Sequence, residues 1–215
     1  MNPRDLDPQR LVESQALTKQ NGCTIFALTG AIAVLESELT EEDLSRTMKS
    51  IISVPVEETP LYPIAKEKNL PAPLLVDSGS VTAIKWIKEG EGRALMNYLN
   101  DKFSRLKLDV SIDFLLRGNF SPENILDIVK NGGVVLLPCS IFENKTFYAN
   151  HHIALAMVDG DLCYIDVNEP LTRVESSLIK EMLANSEIKV PYALGKDTEI
   201  SVNTDPIIYL TKKSN

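Results

Sequence analysis

Cys23, the adjacent histidines His151 and His152, Asp166 and Asn168 are the side chains of this 215-residue chain whose types and order could do covalent chemistry. A thiolate attacks acyl carbon, an imidazole moves the protons, and a carboxylate or amide holds the imidazole in one tautomer. Cys23 follows an Asn21-Gly22 turn signal and opens an apolar run, which predicts the N-terminus of a helix. In that position the first-turn N–H groups and the helix dipole favour a thiolate, drawing the thiol below its ordinary value of about 8.5.

The histidines stand at the head of a predicted strand that enters a hairpin at Asp159-Gly160. Opposed residues in an antiparallel hairpin have a constant index sum and share a face. One even sum sets His152 opposite Asp166 and the next sets it opposite Asn168, whereas an odd sum breaks the pairing. This parity selects His152 as the base, with Asp166 or Asn168 as its orienting partner and His151 as a strand-edge neighbour.

These side chains must be carried by two kinds of structure. Cys23 to Leu35 is apolar on every side, so it reads as a helix inside a domain. Thr40 with Glu41, Glu42 and Asp43 reads as a capped helix start running to about Ile52. Short helical segments follow at Leu61 to Lys68 and Gly90 to Arg105, with an apolar Leu74-Leu75-Val76 between them. Ser121-Pro122-Glu123 opens a further helix that Lys130-Asn131-Gly132 stops.

After Gly133 the period changes. Val134 to Leu137, Ile153 to Val158, Leu162 to Val167, Val190 to Leu194 and Pro206 to Thr211 read as strands, with a helix at Glu175 to Ala184. The expectation is one α+β domain over residues 1–215, mostly helical to about 132 and mostly sheet from about 133.

A net charge of −8 argues against a nucleic-acid surface. The longest apolar run, Thr24 to Leu35, is shorter than the roughly 20 residues a membrane span needs. The polar, acidic start does not read as a secretion signal, so a cytoplasmic protein is expected, with export by a signal-less route open. Cys139 and Cys163 read as packed thiols with no histidine in register, and three cysteines without ligand spacing predict neither metal nor cofactor.

Gln20-Asn21-Gly22-Cys23 with Ala27-Leu28, Gly132-Gly133 leading into Val134 to Leu137, His152 to Gly160, and Tyr164-Ile165-Asp166 together resemble the papain-like cysteine peptidase superfamily. Within it they are most similar to the bacteriocin leader-peptidase (C39-like) group. The resemblance implies a two-lobed fold, with a central helix starting at the nucleophile and a C-terminal antiparallel sheet. It also implies Cys23 as nucleophile, His152 as general base, Asp166 or Asn168 as orienter, and a thiol hydrolase cleaving an amide bond of a peptide or protein.

Such enzymes place an oxyanion-hole glutamine five or six residues before the cysteine, whereas Gln20 stands only three before it. Either an unusual turn brings Gln20 to the hole or another donor serves there. Glutamine deamidation and transfer to an amine, as in a secreted bacterial effector, share the same thioester. A papain-like recognition module without activity, and an unrelated interaction protein in which Cys23 is merely packed, are the non-enzymatic readings.

Overall fold

The apolar run after Gly22 folds as helix α1, Gly22–Leu35, and burial on all sides explains its composition. Its one deeply buried polar group in mid-helix is satisfied, since the Thr29 hydroxyl donates to the Ile25 carbonyl at 2.6 Å. The computed structural model describes residues 22–52, 56–70, 79–116, 118–168, 171–192, 197–203 and 206–213. The expected apolar segment Leu74 to Val76, and Ala193 and Leu194 of an expected strand, lie outside them. Among the described residues no helix is long and apolar enough to cross a membrane.

Helix α2, Glu41–Ile52, starts as its sequence dictates: the Asp43 N–H donates to the Thr40 hydroxyl and three acids fill the first turn. Helices α3 (Tyr62–Lys68), α4 (Gly79–Lys88) and α5 (Gly92–Arg105) follow. Strand β1, Val110–Leu115, lies within the part expected to be helical. Its Val-Ser-Ile-Asp alternation buries Val110 and Ile112, a period-two pattern too short to stand out in the sequence. Helix α6, Pro122–Lys130, carries a reciprocal cap between Ser121 and Asn124.

Strands β2 (Val134–Glu143), β3 (Thr146–Val158), β4 (Asp161–Ile165) and β5 (Thr172–Arg173) lead to helix α7, Ser176–Ala184. Strands β6 (Val190–Pro191), β7 (Thr198–Val202) and β8 (Ile207–Lys212) complete the described chain. The sheet is antiparallel, in the order β1-β8-β2-β3-β4-β5, with β7 joined to β2 and β6 to β7.

The free edge of β2 is divided between two strands: β8 takes Val134 to Leu136, and β7 takes Cys139 to Glu143. Pro138, which has no N–H to give, falls in the gap, where its carbonyl accepts from the Asn203 N–H at 2.7 Å. A proline in a central strand is thereby accommodated. Side chains of alternate parity on the strands serve two cores. Val134, Leu136, Ala154 and Ala156 meet the N-terminal helices, with Trp86 fully buried among them, while Val135, Leu137, Ile153 and Leu155 meet α6 and α7.

Helix α1 lies close against the sheet because Gly30 has no side chain. A Cβ there would stand 2.7 Å from Cγ2 of Ile165, the residue before Asp166. Gly30→Leu should therefore push the helix off β4 and destabilise the fold by about 2 kcal/mol or more, read as a lowered urea midpoint. An unchanged midpoint would show that the two elements have slack.

Candidate active site

Three local structures converge on one place. The first turn of α1 carries Cys23, which is half-buried beside Thr24. Strand β3 carries His151 and His152, both buried. The residues just beyond β4 supply Asp166, whose position follows from the hairpin that returns β3 into β4. That turn has two residues, Asp159 at φ 52° and Gly160 at φ 87°, and it sets Val158 opposite Asp161. Only glycine and small polar residues adopt this pair of left-handed conformations readily, so Asp-Gly dictates the register.

His151 Nε2 lies 2.9 Å from Asp166 Oδ2, and the His151 side chain stands near enough to the Cys23 thiol for the two to shift each other's pKa. The backbone N–H of His152 also reaches the Cys23 sulfur. Asp166 is fully buried, and its other oxygen accepts the Asn168 N–H at 2.9 Å. Tyr192 completes the cluster: its hydroxyl donates to Asp166 Oδ2 at 2.6 Å, lies 2.9 Å from His151 Nε2, and accepts from Asn168 Nδ2 at 2.9 Å.

The electrostatics follow from these contacts. Burial pushes the Cys23 thiol up, but the hydrogen bond and charge of His151, with help from Thr24 and the His152 N–H, outweigh it and bring the pKa below the ordinary thiol value. Burial alone would push His151 down. The hydrogen bonds and negative charges of Asp166 and Cys23 raise it instead to about 9. Both directions favour a thiolate–imidazolium pair, helped by the positive end of α1. Cys139 is the contrast: burial, then the charges of Asp166 and Cys23, hold its thiol well above the usual range.

The register corrects the parity expectation. With Val158 opposite Asp161 the index sum is odd, so the odd residues of β3 share a face with Asp166 and Asn168, and His151 takes the position expected of His152. His152 Nδ1 is buried with no hydrogen-bond partner, and burial followed by the nearby His151 charge lowers its pKa to about 3. It is a neutral packed ring. Asp166 meets the imidazole, whereas Asn168 meets Asp166 and Tyr192. Cys139 is directly opposite His151 across β2 and β3, so the expectation that no histidine stands in its register is also corrected.

Gln20 lies outside the described residues. Tyr192 was not foreseen, and no spacing rule could have found it: it arrives 26 positions after Asp166 on a separate hairpin. Among the described residues no group of three or more His, Cys, Asp or Glu side chains is placed to hold a metal ion.

No family model matches the chain, and no curated protein matches it. Among solved structures the chain is similar to Pseudomonas avirulence protein AvrPphB, at 11% identity and a TM-score of 0.32, over 84% of this chain and 89% of that one. A likeness at that level carries no argument, so the weight falls on the side chains themselves.

Proposed function

We propose that the chain is a papain-like thiol hydrolase that cleaves an amide bond of a peptide or protein. The observation that carries this reading is the run of contacts from Cys23 through His151 to Asp166, with the sulfur in the first turn of a helix. A helix N-terminus, an imidazole and a buried carboxylate in that order are what a resting thiolate–imidazolium pair requires.

In this reading the Cys23 thiolate attacks the substrate carbonyl carbon and forms a C–S bond, while the carbonyl π electrons move to oxygen. The Cys23 backbone N–H, in the first turn of α1, supports that oxyanion. Collapse breaks the C–N bond, and the leaving nitrogen takes the proton from His151, leaving a thioester and an amine. Water then attacks the thioester as His151 removes its proton. The acid departs and the thiolate is restored. Asp166 keeps the imidazole facing sulfur throughout.

Two measurements test this. Cys23 should be alkylated by iodoacetamide near pH 6 far faster than Cys139 and Cys163, which are buried at 1% and 2% exposure. Labelling of Cys23 only at alkaline pH would count against the reading. In a proteome incubated with wild type but not with Cys23→Ala, new peptide N-termini are expected. Deamidated glutamines or amine adducts in their place would redirect the same thioester to deamidation or transfer. A proteome unchanged in all three respects would sink the enzyme.

A further inference from the structure

The contact that the proposed triad does not use is the phenol of Tyr192. Its ring is 5% exposed and tilts against the His151 imidazole, with centroids 5.6 Å apart. The hydroxyl makes three contacts, donating to Asp166 and standing within reach of His151 Nε2 and Asn168 Nδ2, so its one proton and both lone pairs are committed.

The residue is also tied at its backbone. Its N–H donates to the Thr198 carbonyl at 2.9 Å, and the Thr198 hydroxyl donates back to the Tyr192 carbonyl at 2.9 Å. A side chain fixed at both ends, and aimed at the bond between base and orienter, does more than fill space. The His151–Asp166 contact alone would leave the ring free to pivot about that single hydrogen bond. A second acceptor beside Nε2 removes the pivot, and the donated O–H pins the carboxylate oxygen that Nε2 meets.

We infer that Tyr192 is a positioning residue of this site: its hydroxyl fixes the Asp166 carboxylate and the His151 ring in the one arrangement that turns the imidazole toward Cys23. The inference rests on the thiol-hydrolase reading for its consequence, but the positioning itself can be measured without any activity.

The chain has only two histidines, which makes ring nitrogen and N–H resonances assignable after histidine-specific ¹⁵N labelling. The His151 Nε2–H is expected far downfield in wild type. In Tyr192→Phe, which keeps the ring and removes only the oxygen, that resonance should move and broaden as the N–H exchanges faster with water. Asn168→Ala, which removes one donor to the phenol oxygen, should move it the same way by less. The rate of Cys23 alkylation by iodoacetamide should fall about tenfold in Tyr192→Phe, the loss of one orienting bond of roughly 1.4 kcal/mol.

A His151 resonance identical in wild type and Tyr192→Phe, with both proteins folded by their amide spectra, would overturn the positioning role whatever the activity. A resonance that moves in a protein whose wild-type Cys23 reacts no faster than an ordinary thiol would support the positioning and overturn the hydrolase reading instead. Should Tyr192→Phe fail to fold, the Asn168→Ala spectrum decides: an unmoved resonance there overturns the role.

Discussion

His151→Ala is expected to slow alkylation of Cys23 at pH 6, and any turnover that depends on it, by about 10³-fold. His152→Leu should change either far less. Removing His151 takes away the charge and hydrogen bond that hold the Cys23 thiol below its ordinary pKa. What remains is burial, which raises that pKa, opposed only by the smaller influences of Thr24 and the His152 N–H, so the thiolate population falls at the pH where the wild type reacts. The same substitution strands Asp166, a fully buried carboxylate left with Tyr192 and the Asn168 N–H as its donors. His152 contributes its backbone N–H to the sulfur, and a leucine keeps that group. Asp166→Ala should approach the His151→Ala defect and Asn168→Ala should not, because Asp166 touches the imidazole directly whereas Asn168 meets Asp166 and Tyr192. Equal rates for His151→Ala and wild type, or a larger loss in His152→Leu, would remove His151 from the proposed mechanism.

How much of this was legible beforehand depended on the range of the forces involved. Local signals were readable: the Thr40 and Ser121 caps, the run that became α1, and the Asp159-Gly160 turn are each decided by a few adjacent residues. Cys23 at a helix start and Asp166 after a returning strand belong to the same class. The choice between His151 and His152 turned on a single step of register, and one step reverses every side chain on a strand. A two-residue loop at Asp159-Gly160 requires Val158 opposite Asp161, so the turn already held the answer and His151 follows from it. The β2–β3 hairpin was less visible. Asn144 and Lys145 both take left-handed conformations, at φ 49° and 66°, without a glycine to announce them. Strand β1 finds its partner β8 some hundred residues later, and Tyr192 finds Asp166 through β6 and β7. Such contacts have no neighbour in the sequence to encode them.

The second large effect concerns stability in acid, and it separates the two histidines by sign. His152 has a folded pKa of about 3 against 6.5 for a free ring, because a buried ring with an unpartnered nitrogen cannot easily accept a charge beside His151. Between those values the unfolded chain binds a proton that the folded chain refuses, so stability falls as pH drops through 6.5, by up to about 1.4 kcal/mol per pH unit. His151 has the opposite sign. Its folded pKa is raised to about 9, so its contribution is fully present below 6.5 and is lost as pH rises toward 9. The two windows do not overlap, and below 6.5 the histidine-linked slope belongs to His152 alone. His152→Leu should remove it. At pH 7 the variant should lie within about 1.5 kcal/mol of wild type, since the volumes are similar and a polar atom without a partner is exchanged for an apolar one. At pH 5 the variant should have gained about 2 kcal/mol relative to wild type, the carboxylates titrating alike in both. Urea unfolding of the two proteins at pH 7 and pH 5 measures the difference. Parallel pH dependence would mean that His152 titrates normally in the folded chain, contrary to its burial and its unpartnered Nδ1.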